Sequence, residues 1–214
     1  MKRKIPCFCD NVFEEEIPEE IDLDKDPGYL EEILLGSFFS FTCPSCQKLH
    51  KPEFPLILLW PSKKLRLEIL PELDRGEFYR RKKPPSFSDK LVLETIIGYP
   101  EMADRLAVIQ DGYEPAAVEA IKYFLHLKAE EQYPDEELDI WYSPKEDLGA
   151  PRSHETLEFH IHGIRDNEVA VMKVPMALYT KTLDDYKKSP KGELFSALRS
   201  SSYLSVKNTM RAGA

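Results

Sequence analysis

The chain has 214 residues, a formal net charge of −9 at pH 7 and 42% apolar side chains. A chain of this size buries roughly 70% of its unfolded surface, so ordinary cores form without disulfide staples, and low-complexity disorder is excluded. No apolar run is long enough to cross a bilayer or to follow the basic start as a signal peptide, so we expect a cytoplasmic protein without a membrane partner.

The amino-terminal half is predicted to combine one short helix, several strands and two longer helices. In chain order, the predicted elements are a helix over 27–35, an extended segment over 37–42, strands over 54–60, 65–70 and 91–97, and helices over 100–110 and 115–132. Asp26 is expected to cap the first helix, with Pro27 at its first position and Gly36 just after its end. The two strands before and after residues 61–64 are expected to form a hairpin.

The carboxyl-terminal part is predicted to contain three strands followed by a helix. The strands are expected at 138–142, 157–162 and 169–174, the helix at 177–188, and a partly packed segment after residue 192. Residues 129–152 are rich in acids and prolines and provide the best boundary. We therefore predict an α+β protein with a domain over 1–132 and an α+β extension over 133–214, which is either separate or part of the same compact unit.

Two pairs of cysteines carry the chemistry of this sequence, Cys7 with Cys9 and Cys43 with Cys46. In a reducing compartment, cysteines at such spacing are better explained as metal thiolates than as disulfides. Tetrahedral zinc holds its sulfurs about 3.8 Å apart, so each pair must lie in a tight bend and the two bends must meet. The sequence therefore predicts a structural Zn²⁺ bound by all four cysteines, although Cys7 and Cys9 are separated by one residue where a zinc knuckle usually has two.

His50 follows Cys46 by four residues and is the reserve ligand if an early cysteine does not reach the metal; otherwise it is a surface side chain. Four thiolates around Zn²⁺ leave an excess of negative charge that needs nearby donors. The cations close in sequence are Lys2, Arg3, Lys4, Lys48 and Lys51. A centre with four protein ligands has no open position, which argues against metal catalysis.

These cysteines and their setting resemble the CpXC domain, a bacterial and archaeal family named for two Cys-Pro-X-Cys motifs and described as a presumed domain of unknown function. Residues 43–46 match the second motif, after a run over 36–42 that is typical of the family. Cys7 and Cys9 occupy the place of the first motif, where Pro6 precedes the first cysteine and one spacer residue is missing.

The resemblance extends over about residues 1–130 and includes the first helix, the strand over 65–70 with the following Pro71 and Glu72, and Gly112. It implies a zinc-ribbon-like β element at the amino terminus, packed on a mixed α/β body, and metal binding. It implies no reaction.

Three other interpretations stay open. Cys43 and Cys46 also have the spacing of the cysteine pair in a thiol–disulfide oxidoreductase. Such chemistry needs a helix that begins at the first cysteine, and Pro52 and Pro55 would end that helix early. A second interpretation makes three histidines a metal or acid–base site with Glu155 or Glu158. The histidines are His154, His160 and His162. On a strand, however, the last two would alternate with a buried face formed by Leu157, Phe159 and Ile161.

The third interpretation concerns a basic loop that could bind an anionic partner. Its cations are Arg80, Arg81, Lys82 and Lys83, with Phe78, Tyr79 and Phe87 beside them. The negative net charge disfavours nucleic acid as a general partner, and short charge runs are common on solvated surfaces. The sequence thus favours a non-catalytic zinc-binding protein that acts as a structural or protein-interaction module with a so far unidentified protein partner.

Overall fold

The computed structural model describes residues 1–81, 91–134, 136–144, 155–165 and 167–210. The chain forms two compact units, Met1–Ala103 and Asp104–Ala214. Each unit contains both helices and strands, which confirms the predicted α+β class. The domain boundary expected after residue 132 stays a prediction. Within the described residues, no helix is both long and apolar enough to cross a membrane.

In the residues that are described, the first unit contains eight strands and three α-helices. Its strands are β1 Lys2–Pro6, β2 Val12–Glu16, β3 Glu20–Asp22, β4 Phe41–Thr42, β5 Leu49–His50, β6 Leu56–Trp60, β7 Leu65–Leu70 and β8 Val92–Ile97. Its helices are α1 Gly28–Leu34, α2 Arg75–Arg80 and the start of α3, Tyr99–Gln110, which continues into the second unit. Strands β1 and β2 form one antiparallel hairpin and β4 and β5 another. The remaining strands form a sheet in the order β8-β7-β6-β3.

The hairpin predicted around residues 61–64 is confirmed as β6 and β7, which pair in antiparallel register. Leu58 lies directly opposite Leu67, and both side chains are fully buried. Alternate residues of a strand share one face, so these apolar positions build the core of the unit while Arg66 and Glu68 point to the other face. β8 then pairs with β7 in parallel.

Two local predictions in this unit are wrong. Helix α1 begins at Gly28 without a side-chain cap, because Asp26 makes its contact through its backbone carbonyl, which accepts the N–H of Tyr29. The extended segment expected from residue 37 is a turn, in which Phe39 has a φ of +47°. Only Phe41–Thr42 is a strand, since the chain must first leave the helix through Gly36 and reverse direction.

Strands β1 and β2 were not predicted, because their charged residues look like solvated runs in the sequence. In the hairpin, each cation lies opposite a glutamate: Lys2 opposite Glu16, Arg3 opposite Glu15 and Lys4 opposite Glu14. Opposite charges at facing positions of an antiparallel pair stabilise it by roughly 0.2–1 kcal/mol each. The acidic run after residue 13 is therefore half of a charge-matched hairpin.

The second unit contains the predicted helices and strands of the carboxyl-terminal part. Its helices are α4 Pro115–Gln132, α5 Met176–Lys188, α6 Glu193–Ala197 and α7 Lys207–Met210. Its strands are β9 Asp139–Ser143, β10 Thr156–His162, β11 Ala170–Pro175, β12 Arg199–Ser200 and β13 Tyr203–Leu204. The first three strands form an antiparallel sheet in the order β11-β10-β9, and the last two pair with each other.

The carboxyl-terminal segment packs into the core of this unit, as the sequence predicts. Its buried side chains join two alanines of α4 in one cluster, which consists of Ala116, Ala120, Phe195, Leu198, Leu204 and Val206. Beside this cluster lies a buried ionic network formed by Asp104, Arg105, Glu119 and Lys122. The Lys122 ammonium contacts both Asp104 and Glu119, and the other Glu119 oxygen accepts the backbone N–H of Val206 at 2.7 Å.

Candidate metal centre

The first cysteine pair lies in the loop of the β1–β2 hairpin. Cys7 directly follows β1, its N–H donates to the carbonyl of Asn11 at 2.9 Å, and its own carbonyl accepts the N–H of Asp10 at 3.1 Å. Asp10, just after Cys9, has a φ of +63° and turns the chain back into β2. These bonds close the loop tightly around both sulfurs.

The second pair lies in an equivalent loop between β4 and β5. Cys43 directly follows β4, its N–H donates to the carbonyl of Lys48 at 2.8 Å, and its carbonyl accepts the N–H of Gln47 at 2.9 Å. Gln47, just after Cys46, has a φ of +59°. The two loops therefore have the same design, with the first loop shorter by the one spacer residue that the sequence lacks. Two hairpin loops that each present a cysteine pair form a zinc-ribbon-like β element.

All four sulfur atoms converge. They lie within 4.8 Å of one another. Cys7 Sγ is 3.5 Å from Cys46 Sγ, and Cys9 Sγ is 3.8 Å from Cys43 Sγ. Thiolates around a tetrahedral zinc ion are about 3.8 Å apart, so this arrangement fits a metal ion and can hold one.

The centre is buried on one side and open on the other. Cys7 and Cys43 are buried in an apolar cluster with Ile5 and Phe13, whereas Cys9 and Cys46 lie at the surface, and all four are free thiols. The inner pair is thus held in position by packing, and the outer pair completes the ring of sulfurs towards solvent.

The local hydrogen bonds shift the pKa values of the two inner thiols in opposite directions. The backbone N–H of Cys46, with those of Ser45 and the Asn11 amide, lowers the pKa of Cys43 to about 6 against the effect of burial. The N–H of Cys9 lowers the pKa of Cys7, but burial and the neighbouring thiols outweigh it and raise the value to about 12. One thiol therefore ionises readily and opposes ionisation of the next, a conflict that a cation at the centre relieves.

Two further side chains lie against the sulfurs, Asn11 and His50. The Asn11 amide Nδ2 donates to Cys43 Sγ at 3.7 Å, and His50 Nε2 lies 3.1 Å from Cys7 Sγ. The signal for His50 was its position shortly after Cys46, which alone does not distinguish a contact from a surface side chain. Asn11 had no signal beyond its proximity to Cys9.

Four of the five cations that were expected to balance the thiolates have other described neighbours. Lys51 Nζ donates to the carbonyl of Gly36 at 2.7 Å, and the three cations of β1 face the glutamates of β2. The contacts to the sulfurs come instead from Asn11, His50 and the backbone of the loops.

Of the histidines considered as a second site, the two that are described, His160 and His162, belong to no group of three or more metal-binding side chains. His160 lies opposite Trp141 and Val171 in the sheet, and His162 lies opposite Asp139, while His154 is outside the described residues. Glu158, their proposed partner, contacts Lys173 at 3.1 Å. Within the part of the chain that is described, the four cysteines are the group of metal-binding side chains that comes together.

Two residues of the predicted basic loop are described, and Lys82 and Lys83 are outside the described residues. Arg80 ends α2, and the guanidinium of Arg81 contacts Glu68 at 3.1 Å. Phe78 beside them is buried, so its ring is not available for stacking on a base.

The geometry around Cys43 and Cys46 differs from that of a redox-active pair at a helix start. The chain continues from Cys46 through a turn into β5, and loop N–H groups rather than a helix lower the pKa of Cys43. Each of these sulfurs also lies close to a sulfur of the other loop.

Comparisons with known proteins identify the family of this chain. A family model described as CpXC protein matches residues 5–122, a range that includes all four cysteines. A protein of Treponema pallidum (strain Nichols), described as an uncharacterized protein, is 30% identical over 217 residues, which cover 96% of this chain and 97% of the relative. No solved structure matches. With the family match extending over more than half of its length, the chain belongs to the CpXC family.

Proposed function

We propose that this protein is a non-catalytic zinc-binding protein whose Zn²⁺ is bound by Cys7, Cys9, Cys43 and Cys46 and stabilises the amino-terminal hairpins. The observation that carries the proposal is the distance between sulfurs of different loops, 3.5 and 3.8 Å, which is the spacing that a tetrahedral zinc ion requires. All-thiolate donor sets favour zinc among the divalent cations that bind structural sites.

A structural role follows from the number of ligands. Four cysteines fill a tetrahedral shell, so water cannot bind the metal and be activated by it. The two hairpins also have little core of their own, because the buried cluster around the cysteines contains only a few apolar side chains besides the inner sulfurs, among them Ile5 and Phe13. A metal ion that joins the two loops supplies the missing cross-link.

The wider role that we propose is binding to another protein in the cytoplasm. A reducing compartment keeps the four thiols available for metal, and the exposed ring of Phe8 at the tip of the first loop is a side chain of the type enriched in protein interfaces. Phe8 is 91% exposed.

The experiment that tests zinc binding is elemental analysis of the full chain purified without added metal. We expect about one zinc ion per chain, which stays bound through gel filtration. A chelator at low pH should remove it, because the thiolates are then protonated and no longer bind the metal. Protein that is folded, reduced and free of transition metal would contradict the proposal.

The alternative is thiol–disulfide exchange by Cys43 and Cys46, which is favoured by the lowered pKa of Cys43. An oxidoreductase would reduce insulin with a mild thiol as electron source and would form a disulfide between these two residues. Zinc binding by the same sulfurs would suppress that activity, so metal-loaded and metal-free samples compared in one insulin assay separate the two functions.

A further inference from the structure

The two inner sulfurs differ in how many donors their loops supply. Cys43 Sγ is approached by the backbone N–H groups of Ser45 and Cys46 and by the amide of Asn11. The backbone N–H of Cys9 approaches Cys7 Sγ in the first loop, which has one residue fewer between its cysteines. A thiolate bound to a metal needs such donors to offset its negative charge and to hold its orientation.

His50 lies where the missing donor would be. Its Nε2 is 3.1 Å from Cys7 Sγ, and its backbone position is determined by the pairing of β4 and β5, which sets His50 opposite Phe41. The imidazole is held between two rings, stacked on Phe8 at 6.3 Å between centroids and edge-on to Phe13 at 6.0 Å. A ring restrained on both sides keeps its nitrogen directed at the sulfur at little entropic cost.

We propose that His50 donates a hydrogen bond from Nε2 to the Cys7 thiolate of the metal-loaded centre, in place of the backbone donor that the shortened loop lacks. This inference rests on the proposed zinc binding. His50 is then a positioning residue and not a ligand. The geometry agrees with this role. Among the described residues, the ligand atoms that all lie within 4.8 Å of one another are the sulfurs of the four cysteines, and His50 is not part of this group.

The role also gives a reason for the exposed spacer residue. Phe8 is the only residue between Cys7 and Cys9, and its exposed ring lies beside the imidazole at an interplanar angle of 27°. The short loop therefore has one backbone donor fewer, and its Phe8 ring lies against His50, the side chain that donates in its place.

The test uses the full chain loaded with Co²⁺, whose sulfur-to-metal charge-transfer band reports both the number of thiolates and their electron density. His50→Leu removes the donor, His50→Gln retains an N–H, and His162→Leu is the matched control at an exposed histidine on β10. We expect roughly 10- to 100-fold weaker metal binding in a chelator competition for His50→Leu and most of the wild-type affinity for His50→Gln. The band of His50→Leu should move to longer wavelength with unchanged intensity per cobalt, because the sulfur becomes more electron-rich.

Two results would overturn the role of His50 while leaving zinc binding intact. One is wild-type affinity and band position in His50→Leu; the other is a change in band intensity in both His50 variants, which would make His50 a ligand. Wild-type protein that binds no metal would instead refute the proposed function and this inference with it. If His50→Leu does not fold, the band position of His50→Gln tests the proposal instead. An amide donates a weaker hydrogen bond than an imidazole, so we expect the band of this variant to shift to longer wavelength by a smaller amount.

Discussion

The carboxylate of Glu53 accepts the backbone N–H of Tyr99, the first residue of α3, at 2.7 Å. Its other oxygen accepts the backbone N–H of Glu72 at 2.6 Å, at the start of a short 3₁₀ helix. A single side chain thus satisfies two N–H groups at helix starts that lie apart in the sequence. Because Glu53 follows the second cysteine loop, it also ties that part of the chain to the helices of the first unit.

Glu53→Ala should therefore destabilise the first unit by about 1–2 kcal/mol, since two N–H groups at helix starts lose their acceptor. Urea denaturation monitored by circular dichroism measures the change in the free energy of unfolding. Glu19→Ala removes an exposed glutamate of the same unit and is the control. Equal stability of the two variants would show that the Glu53 contacts contribute nothing.

Lys122→Met should destabilise the second unit by about 3–5 kcal/mol, because it leaves Asp104 and Glu119 buried beside each other without their shared cation. Lys128→Met changes an exposed lysine of the same helix and should cost little. Burial raises the pKa of Asp104 to about 6, with the charge of Lys122 acting in the opposite direction. Urea titrations of both variants measure the difference in their free energy of unfolding.

The Lys122→Met effect should depend on pH. An acid whose pKa is raised on folding contributes stability below its unfolded pKa and loses it as the pH rises through the folded value. Loss of Lys122 raises the folded pKa of Asp104 further, so this loss of stability continues to higher pH. The penalty of the variant should accordingly be larger at pH 8 than at pH 5, and a penalty that grows towards pH 5 would contradict this account.

Gly163 closes β10 at a φ of +94°, and a Cβ atom there would overlap the backbone carbonyl oxygen of Glu137. Gly112 has a φ of +77° with no atom within 4 Å of such a Cβ. Gly112→Ala should cost roughly 1–2 kcal/mol from backbone strain alone. Gly163→Ala should cost about 1–3 kcal/mol more, from the overlap with a carbonyl that cannot rotate away. Thermal unfolding of the two variants compares them directly, and equal losses would refute the overlap.

Cys43→Ser should reduce the zinc content to near zero and unfold the hairpin element, since the apparent binding free energy of a structural zinc site, about 10–16 kcal/mol in small domains, contributes to folding. Ser45→Ala, in the same loop, keeps every sulfur and should retain the metal. Elemental analysis and tryptic cleavage between β1 and β5 measure the two effects. Full zinc occupancy in Cys43→Ser would show that this sulfur is not a ligand.

Much of the fold was predictable where the hydrophobic period is regular. β7, α4 and β10 appear at or near their expected bounds because their buried residues recur at the spacing of a strand or a helix. β1 and β2 were missed because their stability depends on pairing with each other, which no single stretch of sequence displays. Asp26 was predicted as a helix cap because its residue type is favoured there. Its side chain does not cap the helix, and its backbone carbonyl accepts the N–H of Tyr29 instead.

In the metal centre, too, some features were predictable from the sequence and others depend on tertiary contacts. The four cysteines were predicted to converge from their types and spacing, and their sulfurs do lie together. The contact of His50 with Cys7 depends on the β4–β5 register and on the rings of Phe8 and Phe13, which are tertiary features. The ionic network around Lys122 was also missed, although Glu119 and Lys122 stand in a mainly apolar stretch of α4, residues 116–122, that is buried throughout.

X-ray absorption spectroscopy at the zinc edge tests the central claim most directly, because it counts the ligands of the bound metal and measures their distances. The account predicts four sulfur atoms at about 2.3 Å and no lighter atom in the first coordination shell. A nitrogen or oxygen ligand at about 2.0 Å, with fewer than four sulfurs, would contradict a closed centre formed by Cys7, Cys9, Cys43 and Cys46.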